Sequence, residues 1–301
     1  MPLPNKTNLL PDRPGIPPMA VMPEPETIDI PALAKAYGDG DIDLICVLGP
    51  TASGKTRYAV RLAKALEALG GQGISSASLR DPIRANAPEI PRPPKAEILS
   101  ADSRQVYCGM DIGTGKDLDE YGDVPYHLVD IVPAGSKYNI YEYQAAFADA
   151  YADIRSRGCI PILCGGSGLY IEAVTRAYKF DRENGVPADR LPQKTFYIGT
   201  LVSREERVAR IDRRLDERLE DGLVEEIQGL LNSGIPAEDL LWYGLEYKFI
   251  TQYVLGELSY DEMHILLANA IHQFAKRQMT WFRGMERDGV RIHWVNPVAP
   301  F

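Results

Sequence analysis

The run GPTASGKT, Gly49 to Thr56, fits the pattern G-x-x-x-x-G-K-[ST] and follows the apolar stretch DLICVLG. Glycines in such a loop let backbone N–H groups curl around phosphate oxygens, and a helix N-terminus behind them adds its dipole. Lys55 would then reach a terminal phosphate, and the Thr56 hydroxyl can hold Mg²⁺. The expected phosphate cradle is therefore Gly49, Thr51, Ala52, Ser53, Gly54, Lys55 and Thr56. Its ligand is a di- or triphosphate, which leaves kinases, NTPases and transferases of pyrophosphate esters open. A motor or switch NTPase carries an aspartate after an apolar strand to hold the metal. Here the candidate strand CIPILCGG ends in glycines, followed by Ser167 between two glycines. Asp102, in LSADSRQVY, does stand at the end of an apolar run, where ligands bind in open α/β sheets.

The elements that must carry these residues alternate. Strands are expected at 43–49, 96–102, 126–132, 159–166 and 194–202, with helices after Lys55 and over 141–158. That alternation predicts an α/β fold, a P-loop NTPase-like, mostly parallel sheet with flanking helices. From about 203 to 290 the chain reads as helical, closing with the short strand VRIHWV. Residues 1–40 are rich in proline and read as an extended tail outside the fold, in which IPALAKAYG is one short helix. Residues 41–301 would form the domain, with 71–95 as an inserted Pro-rich loop.

The 301 residues are 45% hydrophobic, enough to fill a sizeable core. A net charge of −9 allows no basic surface over the whole molecule, so a nucleic acid would have to be held by a local patch. The four cysteines form no CxxC pair, which suits a reducing cytoplasm, and no apolar run is long enough to span a membrane.

Taken in order and spacing, GPTASGKT, SADSRQVYCGMDIGTGK, VPYHLVDI, PILCGGSGLY, RIDRRLDERLEDGLVEEI, GELSYDEM and AKRQMTWFR resemble the tRNA dimethylallyltransferase family. The resemblance implies that the loop holds the diphosphate of dimethylallyl diphosphate, with Mg²⁺, and that the dimethylallyl group passes to N6 of an adenosine beside the tRNA anticodon. It implies Asp102 as general base, Ser167 where the family has threonine, and Arg214 as a diphosphate ligand. Without the resemblance, Arg214 reads as an arginine on the flank of the apolar stripe Val208, Ile211, Leu215 and Leu219. Ser103 and Gln105 are implied at the acceptor adenine, and Lys276, Arg277, Gln278, Trp281 and Arg283 at the RNA.

The sequence also departs from the family. Between Tyr170 and FYIGTLV only a remnant, 179–194, stands where a helical insertion grips the anticodon arm. The usual Ile-Gly-Tyr-Lys reads YGLEYKF, and the usual Thr-Arg before AKRQ reads Ile271-His272. The expectation is a compact, monomeric tRNA enzyme. A prenyltransferase of free adenine nucleotides and a non-catalytic binding protein are the alternatives.

Overall fold

In the computed structural model, residues 23–70, 95–176 and 185–301 are described. A six-stranded, wholly parallel sheet runs in the order β4 (Tyr126–His127), β2 (Ala96–Ser100), β6 (Ile160–Gly165), β1 (Leu44–Leu48), β7 (Thr195–Thr200), β8 (Ile292–Val295). Two further short strands, β3 (Tyr107–Cys108) and β5 (Val132–Pro133), pair beside it. Strands β1, β2 and β6 are buried along their whole length, as a parallel sheet covered on both faces requires.

Alternation along each strand feeds two cores. Leu44, Cys46 and Leu48 join Leu99 and Leu163 under α3 (Ile140–Ser156) and α4 (Gly168–Thr175). Ile45 and Val47 join Ile98 and Ile162 under α1 (Ile30–Gly38) and α2 (Lys55–Gly70). A third core gathers α5 (Arg204–Glu220), α6 (Leu223–Asn232), α7 (Ala237–Tyr243), α8 (Leu245–Val254) and the first half of α9 (Tyr260–Arg287) around Val106, Tyr107 and Met110. The second half of α9 leaves that core, and its Met279, Phe282 and Met285 enter the sheet core. A single helix thus belongs to both parts of the molecule.

Two expectations change. Residues 26–38, read as part of a tail outside the fold, pack on it: Ile28, Ile30 and Leu33 are buried, and the Glu26 N–H donates to the Trp294 carbonyl at 2.7 Å. The strand expected at 126–132 breaks into β4 and β5 because Leu128 (φ 64°) and Asp130 (φ 56°) turn left-handed. The turn after β6 opens α4, and YGLEYKF spans the break between α7 and α8, where Gly244 has φ 75°. The rest of the Pro-rich tail, most of the 71–95 loop and part of the 179–194 remnant lie outside the described residues.

One buried carboxylate ties the sheet edge to α3. Glu97 on β2 accepts from Arg157 at the end of α3 (Nη2 to Oε2, 2.8 Å) and contacts His127 Nε2 at 2.7 Å. Burial alone would raise the pKa of Glu97, but Arg157 and His127 outweigh it and bring the carboxyl down to about 2. A depressed carboxylate stabilises the fold fully above its unfolded value of about 4.3 and loses that contribution as pH falls through the folded value. The thermal midpoint should therefore fall as pH is lowered from about 4.3 toward 2, and Glu97→Gln should flatten that segment of the profile. An unchanged slope in the variant, followed by calorimetry, would remove Glu97 from the account.

Candidate functional site

Because the strands are parallel, the segments that follow β1, β2, β6 and β7 leave the sheet at one edge. The phosphate loop follows β1. Ala52 (φ 59°) and Gly54 (φ 80°) are both left-handed, which turns successive backbone N–H groups toward a common centre. A side chain at Gly49 would collide with Ser53 and Thr200, whose buried hydroxyls lie 2.7 Å apart beneath the loop. Lys55 opens α2, whose first-turn N–H groups have no partner within the helix.

Lys55 lies in the field of Asp102, Arg214, Glu120 and the buried Cys164. Burial lowers the pKa of Lys55 despite the nearby carboxylates, so an anion at its tip would be welcome. Cys164, which touches the Thr56 hydroxyl, is pushed up to about 12 by burial and stays a neutral thiol. Arg214 on α5 pairs with Asp117, and burial followed by Arg218 pushes its guanidinium down to about 9. Since guanidinium keeps its proton, that direction records the cost of enclosing the cation beside Arg218. Arg210, one turn earlier, places Nη1 3.5 Å from the Ala52 carbonyl at the lip of the loop. Sequence reasoning passed over Arg210, although its four-residue spacing from Arg214 and Arg218 was the available signal.

Asp102 follows β2, with its Oδ1 accepting from the Arg104 N–H at 2.9 Å. Ser167 follows β6 and reaches the same loop: its Oγ accepts from the Ser103 N–H at 3.1 Å and lies 3.4 Å from the Ser103 hydroxyl. Beneath them a side chain on Gly165 would collide with the Ala101 backbone, so these two turns meet only because the residue is glycine. The stretch 109–116 is held from α6, where Glu226 accepts from the N–H groups of Asp111 (2.8 Å), Ile112 (2.7 Å) and Gly113 (3.1 Å). From below, the buried Lys116 pairs with Asp111 and Asp130. Glu226 and Lys116 thereby fix the position of Asp117, the partner of Arg214.

Asp102, Ser167, Arg214 and the phosphate loop thus share one edge, as the sequence suggested, and Ser103 lies with them. Three other residues have different surroundings. The Gln105 amide accepts from the Ser100 hydroxyl and donates to the Gly115 carbonyl, both at 3.0 Å, so it braces two loops instead of facing a base. Gln278, expected at the RNA, is 6% exposed on the core face of α9. Its Oε1 accepts from the Thr51 N–H at 2.8 Å and its Nε2 donates to the Gly166 carbonyl at 2.9 Å. Trp281 is half-buried with its ring against Gly168, packed on the sheet core. The helical period explains both cases, since Ala275, Gln278, Met279 and Phe282 occupy one face. Lys276 and Arg277 remain exposed, whereas the partly buried Arg283 lies near Arg207. Burial, Arg204 and Arg283 together lower the pKa of Arg207, which describes a local basic patch on an acidic protein.

The IPP transferase family model matches residues 105–194 and 177–285. The chain belongs to this family. It is 42% identical to a Bacteroides fragilis protein named tRNA dimethylallyltransferase 2, over 86% of this chain and 94% of that one. It is also 42% identical to a Porphyromonas gingivalis protein of the same name, over 85% and 95%. Among solved structures, the full-length tRNA isopentenylpyrophosphate transferase of Bacillus halodurans superposes with a TM-score of 0.66 at 26% identity, covering 85% of this chain and 90% of the other. Among the described residues no helix is long and apolar enough to cross a membrane.

The amide bridge of Gln278 makes a prediction of its own. Gln278→Leu leaves the Thr51 N–H and the Gly166 carbonyl without partners, at a cost of roughly 1–3 kcal/mol each if both stay dry. The thermal midpoint should fall and calorimetry should record weaker binding of dimethylallyl diphosphate. Binding as tight as in the wild type would show that the loop keeps its shape without the bridge.

Proposed function

We propose that this IPP transferase family member moves the dimethylallyl group of dimethylallyl diphosphate to N6 of an adenosine beside a tRNA anticodon, releasing diphosphate. The observation that carries the reading is the position of Asp102: a carboxylate just beyond the end of β2, in the field of Lys55 and Arg214 beside the candidate diphosphate cradle. The proteins named tRNA dimethylallyltransferase are matched over nearly their whole length.

In this mechanism the diphosphate lies in the loop formed by Gly49, Thr51, Ala52, Ser53, Gly54, Lys55 and Thr56, capped by Arg210 and Arg214. The N6 lone pair forms a bond to the allylic C1 while the C1–O bond breaks, and its electron pair leaves with the diphosphate. Lys55 and the two arginines take up the charge that grows on the leaving group. Asp102 accepts the proton lost by N6, which matters because an exocyclic aromatic amine is a poor nucleophile. Ser167 and Ser103 keep the Asp102 loop in register with the cradle.

Thr56 is the residue suited to Mg²⁺. Among the described residues no group of three His, Cys, Asp or Glu side chains is arranged to hold a metal. An ion there would be held by the Thr56 hydroxyl together with the diphosphate and water, the usual habit of Mg²⁺ beside phosphates. When bound, it would neutralise diphosphate charge. Lys276, Arg277, Arg283 and Arg207 form the patch proposed for RNA phosphates. The protein's place of action is proposed as the cytoplasm, which suits four cysteines that form no disulfide.

Transfer of labelled dimethylallyl to unmodified tRNA and, in parallel, to free adenosine phosphates tests the reading. Label in tRNA is expected, and label confined to the mononucleotide would overturn it. Lys55→Ala should abolish transfer through loss of diphosphate affinity. Asp102→Asn should bind dimethylallyl diphosphate normally while transferring roughly 10²- to 10⁴-fold more slowly, and an unaltered single-turnover rate would reduce Asp102 to a turn residue.

A further inference from the structure

Of the three tryptophans, Trp294 is buried and Trp281 packs on the core, whereas Trp242 on α7 is 53% exposed. Its ring is nonetheless fixed. Tyr243 meets it edge-on with centroids 5.6 Å apart, and Tyr243 is itself buried, its hydroxyl accepting from the Gly135 N–H at 2.9 Å and donating to the Ser136 carbonyl at 3.1 Å. Tyr107 backs Tyr243 at 4.7 Å. An exposed indole on a buried tyrosine layer contributes little to the core and presents a flat apolar face to solvent.

Beside it lies a cation without an anion. The Arg104 guanidinium carbon is 5.6 Å from the ring centres of both Trp242 and Tyr243. Among the described residues its side chain makes no hydrogen bond or ion pair; Asp102, two residues away, bonds the Arg104 backbone N–H instead. Arg104 is largely enclosed, and burial pushes its pKa down, so a negative group there would relieve a real cost. A flat aromatic face next to an unpaired guanidinium matches the chemistry of one nucleotide in single-stranded RNA: a base that stacks and a phosphate that pairs.

Resting on the tRNA reading above, we propose that Trp242 and Arg104 seat the anticodon-loop nucleotide adjacent to the target adenosine. Its base lies on the Trp242 ring and its phosphate on the Arg104 guanidinium. The backbone bond from Arg104 to Asp102 sets the spacing, so that the neighbouring adenosine falls opposite the general base. Removing an adenosine from a stacked loop costs the stacking of its neighbour, and a protein aromatic under that neighbour restores it.

The test compares wild type, Trp242→Ala, Trp242→Phe and Arg104→Met in steady-state transfer to unmodified tRNA, with dimethylallyl diphosphate binding measured separately. Trp242→Ala should raise the KM for tRNA roughly 5- to 100-fold, the range expected for one stacked base, and Trp242→Phe should restore most of it. Arg104→Met should weaken RNA binding and reduce its salt slope by about one. Diphosphate affinity should stay unchanged in all three. Intrinsic fluorescence should be quenched by an anticodon stem-loop RNA in the wild type and not in Trp242→Phe. If wild type modifies tRNA while both Trp242→Ala and Arg104→Met keep its KM and salt slope, the seat is wrong and the tRNA reading stands. Loss of diphosphate affinity in Arg104→Met would assign that arginine to the cradle instead and also overturn the proposal. If wild type labels only free adenosine phosphates, both readings fall together.

Discussion

A parallel sheet covered on both faces has one wet edge. Strands β1, β2 and β6 are buried from end to end, so their polar backbone is committed to the ladder and their side chains to two cores. Chemistry can be housed only where the strands end and the backbone is free to turn. A backbone-to-backbone pinch at that edge is the contact of Gly165 with the Ala101 backbone, where even one added carbon would drive the β2 and β6 turns apart. Asp102 and Ser167 are neighbours because of that contact, and the remaining loops are arranged around it.

The same edge is locked to the helical part through α9. Its first half is packed among α5 to α8 and its second half in the sheet core, with Gln278 near the crossover holding the phosphate loop by Thr51 and the β6 turn by Gly166. A swing of the helices relative to the sheet would have to break this amide bridge or drag the loop along. The cations on α5 are set by a parallel chain of constraints: Glu226 and Lys116 fix the 109–116 stretch, that stretch places Asp117, and Asp117 holds Arg214 over the cradle. Substrate charge at the proposed cradle would therefore be met by residues whose positions are settled before it arrives, as electrostatic preorganisation requires.

What the sequence disclosed follows from how local each signal is. The phosphate loop, β1, α2, α3 and β6 were legible because their glycines, apolar runs and helical periods are contiguous in the chain. Asp102 and Ser167 could be placed at strand ends, and the sheet then brought them together without further information. Gln278, Gln105 and Trp281 were misplaced because residue type was taken as function. A glutamine amide reads a base or braces two backbones depending on what faces it, and facing partners such as Thr51 and Gly166 are remote in sequence. Arg104 and Trp242 were passed over for the converse reason, since 138 positions separate two side chains that matter only as a pair.

The compact build changes what recognition has to accomplish. A long insertion gripping the anticodon arm would spread binding over many phosphate contacts, which suits a protein of high positive charge. This chain carries a net charge of −9 and gathers cations in small groups: Lys55 with Arg210 and Arg214, which pair with Glu206 and Asp117, at the cradle, Arg104 beside it, and Arg207 near Arg283 at the α5–α9 border. The net negative charge opposes a long duplex track laid over the acidic remainder. A single-stranded loop, by contrast, can offer its phosphates one at a time and its bases as flat faces. An acidic protein with a few grouped cations and the exposed Trp242 beside one of them would thereby favour a loop, and the net negative charge would add to that preference alongside the contacts at the site.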